Sequence, residues 1–385
     1  YLYAQKKQLP NINEIIYHIL YKSFDKEFLI LMYNFSAGPG VLPKEVLLEA
    51  QKDFIDFKGS GISIIEASHR GKVYEPVHNE CIALFRELMN IPDNYDVLLV
   101  QGGASTQFEA VPLNLLKKGR ADYIVTGNFA KKAYKEAQKY GDVRVAASSE
   151  DKNFTYIPDF DNSSFRSDID YVHCTSNNTI YGSRMRKFPS VETLVCDMSS
   201  NILSEVYDVS KFGVIYAGAQ KNISCAGVTV VIVRKDLLDQ AMPICPTMLK
   251  WSTQAKENSL YNTPPCFSIY IASLTLKWLK NLGGIPAIQK INEEKAKMLY
   301  DYIDNSGFYT NPVRPEDRSM MNVPFVSPSK ELDAEFVAGA EANGIMAIKG
   351  HRLVGGMRAS IYNAMPVEGV KHLIAYMQKF AAEHK

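Results

Sequence analysis

The stretch VIYAGAQKNISCAG, residues 214–227, decides how the chain is read. Val214 to Ala217 form an apolar run with the profile of a buried strand, and "SCAG" has that of a tight turn. Between them one cation, Lys221, stands among small neutral residues. Such a lysine is either a solvated surface residue or, in a desolvated pocket, an amine with a lowered pKa that attacks an aldehyde. The rest of the chain has to separate the two.

Working outward, "GVTVVIVRK" follows so closely that it predicts an antiparallel partner for the 214–217 strand. Upstream, short apolar runs ("DVLLVQGG", "ADYIVTG", "VRVAA", "DYVHCTS", "TLVCDMS") alternate with helical segments such as "FAKKAYKEAQKYG". That alternation predicts an α/β fold: a mostly parallel, seven-stranded type of sheet flanked by helices. Residues 43–90 read as helical, with "PKEVLLEAQKDFIDF" and "YEPVHNECIALFRELMNI" as the two segments. After "SIYIASLTLKWLKNLGG" the pattern shifts. A long helix over about 284–305 presents Ile285, Ile288, Ile291, Met298 and Leu299 to one side. "MMNVPFVS", helix 330–343, "IMAIKG", "MRASIY" and helix 366–381 then predict a smaller α+β domain. The expected organisation is an N-terminal segment over 32–45, a large domain over 46–280 and a small C-terminal domain over 281–385.

The 385 residues can bury a large core, and 46% hydrophobic with 22% charged residues is ordinary for a globular protein. A formal net charge of +1 supplies no global field for nucleic acid or an anionic membrane, so neither is an expected partner. None of the six cysteines forms a CxxC pair, which predicts reduced thiols and a cytoplasmic setting. No apolar run reaches membrane-spanning length, and no metal site is expected. Residues 1–31 lack the layout of a secretory signal or a transit peptide and read as an extension, non-native or tag-like, ahead of Met32.

Three constellations could carry chemistry. "LLVQGGASTQFEAV" is a strand, a Gly-Gly turn, then Ala104, Ser105 and Thr106 opening a helix, either an ordinary capped turn or a cradle for an anion. It is not a GxxxxGK[ST] loop, and no G-x-G-x-x-G opens a helix after a strand, which disfavours nucleotide folds. "ETLVCDMSS" leaves Asp197 at a strand end, where open α/β sheets gather ligands. It is a turn aspartate, or a carboxylate that keeps a heterocycle nitrogen protonated. His69-Arg70, His351-Arg352 and Arg358 supply donors suited to a doubly anionic substrate, although any one arginine could be a surface residue.

"FSAGPGVLP", "SHRGK", "QGGASTQFEAVPLNLL", "IYAGAQKN", "YNTPP", "SMMNVPF" and "KGHRLVGGMRASIYNAMP" occur in an order that closely resembles the phosphoserine aminotransferases. These are pyridoxal 5'-phosphate enzymes of the class V aminotransferase group, fold type I, and the resemblance runs from about Tyr33 to the C-terminus. It implies transamination between L-glutamate and 3-phosphohydroxypyruvate, giving O-phospho-L-serine and 2-oxoglutarate. The phosphorylated hydroxythreonine precursor of vitamin B6 would be a possible side substrate. Lys221 would carry the cofactor covalently, and Asp197 would hold its ring nitrogen. Ala104, Ser105, Thr179 and Gln220 would contact it, with Phe129 stacking where the family commonly has tryptophan. Asn262 and Thr263 would complete the site of a partner subunit, making the protein a homodimer. Arg358 would bind the substrate α-carboxylate, with His69, Arg70, His351 and Arg352 around the distal anion. The alternatives are another class V aminotransferase or a non-catalytic pyridoxal-phosphate-binding protein. A cysteine desulfurase is disfavoured because no cysteine lies beyond Cys266.

Overall fold

The computed structural model describes residues 32–384, and the extension read in residues 1–31 lies outside the described residues. From the first strand on, β1 (Tyr33–Asn34) precedes α1 (Lys44–Asp53) and α2 (Glu75–Met89). Strand β2 (Tyr95–Val100) leads into α3 (Gly103–Leu115), β3 (Arg120–Val125), α4 (Asn128–Ala137) and β4 (Asp142–Ser148). Four strands follow without an intervening α-helix: β5 (Tyr171–Thr175), β6 (Leu194–Asp197), β7 (Val214–Gly218) and β8 (Thr229–Arg234). Then come α5 (Trp251–Lys256), α6 (Cys266–Asn281), α7 (Gly284–Asn305), β9 (Asn322–Phe325), α8 (Lys330–Ala340), β10 (Ile345–Met346), β11 (Met357–Ser360) and α9 (Val367–His384).

Seven strands form one sheet in the order β2-β8-β7-β6-β5-β3-β4. Every neighbouring pair is parallel except those made by β8, which runs antiparallel to both β7 and β2. The predicted pairing of the 214–217 strand with "GVTVVIVRK" is thus present, with Val214 opposite Val233 and Gly218 opposite Thr229. Buried side chains alternate along each strand. Leu194 and Cys196 face one core while Val195 faces the other, and Ile215 and Ala217 are separated from Val214 and Tyr216 in the same way. Helices cover both faces, which is why the central strands are buried on both sides and mostly apolar. A third core gathers Phe35 with residues of α7, β9, α8, β11 and α9, including Leu299, Phe325, Phe336, Ala359 and Met377.

Two details depart from the sequence pattern. The helix expected through Phe57 stops at Asp53, and residues beyond it turn through left-handed Lys58, Gly59 and Gly61. The "KGSG" run, residues 58–61, supplies the glycines for that turn. On α7 the buried face includes Ile285, Ile288 and Leu299 as expected, but also Asn292 and Lys295, while Ile291 and Met298 are only half-buried. Both polar side chains are accommodated by hydrogen bonds to backbone oxygens across the helix.

Candidate active site

Strands β6 and β7 lie side by side and parallel, so their carboxyl ends open on the same edge of the sheet. Asp197 is the last residue of β6, and Lys221 follows three residues after the end of β7. Both side chains are buried. The Ser199 N–H donates to Asp197 Oδ1 at 2.9 Å, while Ser199 Oγ accepts from the Gly218 N–H at 3.1 Å, tying the two strand ends together. Burial raises the Asp197 pKa, opposed by the Ser199 bonds and by the charge of Lys221. Burial lowers the Lys221 pKa to about 8, with the nearby Arg358 charge adding and Asp197 opposing. Lys221 is therefore the second kind of lysine: desolvated, and partly neutral near physiological pH. Its Nζ donates to Thr179 Oγ1 at 2.6 Å and lies 5.6 Å from the centre of the Phe129 ring.

These groups line a cavity of ≈ 320 Å³ whose far wall is the start of α3. Gly102 and Gly103 both have positive φ, 94° and 70°. A Cβ on Gly102 would lie 2.0 Å from Thr106 Oγ1, because the Thr106 hydroxyl donates back to the Gly102 carbonyl. The glycine pair thus lets the chain turn tightly from strand to helix. No side chain caps the first turn of α3, and Gly103, Ala104 and Ser105 border the cavity. An uncapped helix start offers free N–H groups and the positive end of the dipole to an anion.

Arg358, from β11, closes the opposite side. Its Nη1 donates to the Thr179 carbonyl at 3.3 Å, while Nε is buried with no hydrogen-bond partner. A buried guanidinium nitrogen without a partner is costly, and an incoming carboxylate would satisfy it. His351 also lines the cavity, its pKa lowered by burial and by Arg358, Arg352 and Lys132. The Leu353 N–H donates to His351 Nδ1 at 3.2 Å, which leaves Nε2 to carry the hydrogen of the neutral ring.

Of the residues singled out in the sequence, Ala104, Ser105, Phe129, Thr179, Asp197, Gln220, Lys221, His351 and Arg358 are brought together in this one cavity. His69, Arg70, Arg352, Asn262 and Thr263 do not line it. Arg70 and Arg352 are exposed, and Arg352 borders a separate groove with Lys330 and Lys349. Asn262 borders a second cavity of ≈ 300 Å³ behind the Gly102 turn, and the Thr263 carbonyl accepts from Gln101 Nε2 at 2.7 Å. Thr175, Asn177, Ser199 and Ser200 also line the main cavity and were not singled out. Their signal was present, since "CTSNN" and "DMSS" are polar clusters at strand ends.

The donor set fits a phosphorylated pyridine aldehyde. An anion seat, a carboxylate for a ring nitrogen, an aromatic face and an amine of lowered pKa all border the same space, and Arg358 Nε lacks a partner there. Among the described residues no cluster of side chains is suited to a metal ion.

A family model described as aminotransferase class-V matches residues 32–373. A phosphoserine aminotransferase of Bacillus cereus is 53% identical over 357 residues, covering 92% of this chain and 99% of that protein. Among solved structures, the phosphoserine aminotransferase of Bacillus circulans subsp. alkalophilus is 48% identical with a TM-score of 0.89, covering 92% of this chain and 99% of the other. A pyridoxal-phosphate-bound phosphoserine aminotransferase of Trichomonas vaginalis is 39% identical with a TM-score of 0.86, over 90% and 99% of the two chains.

Proposed function

This chain belongs to the class V aminotransferases, and on that premise we propose that it exchanges an amino group between L-glutamate and 3-phosphohydroxypyruvate, yielding 2-oxoglutarate and O-phospho-L-serine. The observation that carries the reading is the buried pair at the carboxyl ends of β6 and β7: Asp197 and a Lys221 whose pKa falls to about 8. Pyridoxal phosphate supplies a ring that takes up the electron pair left on the amino acid's Cα when its proton departs.

The chain's own residues do the rest. Lys221 in its neutral form accepts the Cα proton and returns it on the other side of the exchange, which its lowered pKa allows near neutral pH. Asp197 would hold a proton on the ring nitrogen, and the Ser199 N–H orients its carboxylate. The free N–H groups of Gly103, Ala104 and Ser105 would seat the cofactor phosphate, and Phe129, Thr179 and Gln220, which line the same cavity, would hold the ring. Arg358 takes the substrate α-carboxylate on its unpartnered side, and His351 faces the distal anion.

Glutamate and phosphoserine differ in their distal anion, a carboxylate against a phosphate, and His and Arg donors suit both because they read charge and oxygen position. Arg352, His69 and Arg70 lie outside the cavity of their own chain, as do Asn262 and Thr263. Asn262 and Thr263 are assigned to the site of a second copy in a homodimer, and His69, Arg70 and Arg352 to the surroundings of the distal anion. No helix among the described residues is long and apolar enough to cross a membrane.

The test is the visible spectrum of the protein with added pyridoxal phosphate, before and after O-phosphoserine. A band that forms and is then bleached to the amine form supports the proposal. A band that ignores phosphoserine but responds to another amino acid assigns a sister aminotransferase, and no band refutes the cofactor role of Lys221.

A further inference from the structure

Lys295 is fully buried on α7, on the face turned toward the segment that follows β11. It makes no ion pair among the described residues. Its Nζ donates instead to three backbone carbonyls, those of Ile361 at 3.2 Å, Tyr362 at 2.8 Å and Met365 at 3.0 Å. An ammonium has three N–H bonds, and here each has its own acceptor within a single turn of five residues. The arrangement resembles a cation held by converging carbonyl dipoles, with the cation tethered to a helix.

The turn it holds touches the site from two directions. Arg358 and Ser360 belong to the strand that runs directly into it. Within the turn, the Asn363 N–H donates to Asn222 Oδ1 at 3.0 Å, and Asn222 is the residue next to Lys221. Asn363 Nδ2 donates to the Leu203 carbonyl at 2.9 Å, in the segment after Asp197, and Asn363 Oδ1 accepts from Asn292 Nδ2, one helical turn before Lys295. The Tyr362 hydroxyl donates to the Ala37 carbonyl at 2.7 Å, and Ala37 itself borders the cavity. One buried side chain therefore fixes the backbone to which the substrate arginine and the neighbour of the reactive lysine are both attached.

We propose that Lys295 is a positioning residue for the reaction: by clamping the carbonyls of Ile361, Tyr362 and Met365 it sets the placement of Arg358 relative to Lys221. The proposal rests on the reading above, in which Arg358 binds the substrate carboxylate and Lys221 carries the cofactor. A misplacement of about 1 Å between such groups costs on the order of 100-fold in rate. A plain structural lysine would instead lower stability and leave the site's chemistry alone.

The decisive variant is Lys295→Met, which keeps the length and apolar stem and removes the three donors. Two readouts are taken on the cofactor-loaded protein: the KM and kcat for O-phosphoserine, and the pH midpoint of the visible absorption band that forms with pyridoxal phosphate. The expected result is a KM raised about tenfold and a kcat lowered about tenfold, together on the order of the 100-fold of such a misplacement, with a shifted band midpoint, in a protein that retains its fold by circular dichroism. Lys295→Gln, which keeps two N–H donors without the charge, falls between the variant and the wild type and decides the matter on the same readouts if the methionine variant does not fold. Wild-type KM and wild-type midpoint in a folded variant, whatever its melting temperature, overturn the proposal. If the wild-type protein ignores phosphoserine, the substrate reading fails by itself. The band midpoint, which needs no amino acid, still decides the role of Lys295.

Discussion

Replacing Lys221 by methionine should stabilise the cofactor-free protein while abolishing its turnover, and the stability gain should depend on pH in a defined way. In the folded chain burial lowers the Lys221 pKa from an ordinary 10.5 to about 8. Below pH 8 the folded protein must keep a desolvated ammonium, which the unfolded chain exposes to water at no cost. Between pH 8 and 10.5 the unfolded chain binds the extra proton, so the stability of the wild type rises with pH across that window. The fall from 10.5 to about 8 corresponds to about 3–4 kcal/mol at about 1.4 kcal/mol per tenfold change in proton affinity. Lys221→Met lacks this titration.

The assay is chemical denaturation of both cofactor-free proteins at a series of pH values from 7 to 10.5. The advantage of the variant should shrink by about 3 kcal/mol across the series. Lys295, where burial lowers the pKa while three carbonyl acceptors hold the ammonium, is the same in both proteins and cancels in the difference. Turnover should fall at least on the order of 10²–10⁴-fold, the worth of a positioned proton-transfer group. A stability difference that stays flat with pH would refute the claim that Lys221 is held desolvated.

Asp197→Asn keeps the shape of the strand end but removes the charge that supports the Lys221 ammonium, so the Lys221 pKa should drop further. The pH dependence of Lys221 acylation in the cofactor-free protein reads that shift, and turnover should fall on the order of 10²–10⁴-fold; an unchanged acylation midpoint would contradict the pairing. Gly102→Ala forces a Cβ against Thr106 at a φ of 94°. It should cost about 1–3 kcal/mol of stability and weaken pyridoxal-phosphate binding, measured by fluorescence titration, whereas wild-type affinity would remove the α3 turn from the phosphate seat. Arg358→Lys loses the planar fork and should lower kcat/KM about 10- to 100-fold for every amino acid tried. A loss confined to substrates with a distal anion would reassign Arg358 to the far end of the pocket.

The pairing of Asp197 with Lys221 was legible in the sequence because its signals are local. An apolar run that stops at "D", and another followed by "AQKN", mark two strand ends, and parallel packing then places them side by side. The Gly-Gly turn was legible for the same reason, since its conformation is dictated by neighbours within four residues. Arg352, His69 and Arg70 carry the same residue types as Arg358 and His351, yet only the latter two line the cavity. Nothing local distinguishes them. Which arginine faces the cavity is set by the strand it sits on, and β11 acquires its place by pairing with β9, with Arg358 opposite Pro324.

The same limit explains why the walls of the site escaped sequence reasoning. Asn177 Nδ2 donates to Asn322 Oδ1 at 2.9 Å, Asn322 Nδ2 donates to Ser360 Oγ at 3.0 Å and to the Tyr362 hydroxyl at 3.2 Å, and Tyr362 reaches Ala37. In sequence each is an unremarkable polar residue, and "NEEKAK" around Lys295 reads as a solvated helix face. Buried, each must find a particular partner, because an unpaired amide or ammonium there costs more than any one bond returns. That requirement makes the walls rigid. A lysine held partly neutral and an aspartate beside it are useful only if dipoles and distances stay fixed as charge moves, since reorganisation during the reaction would have to be supplied from the barrier. The buried polar links between the strand of Arg358 and the cavity floor are thus what allow one site to hold a depressed lysine pKa and an unpartnered arginine nitrogen at the same time.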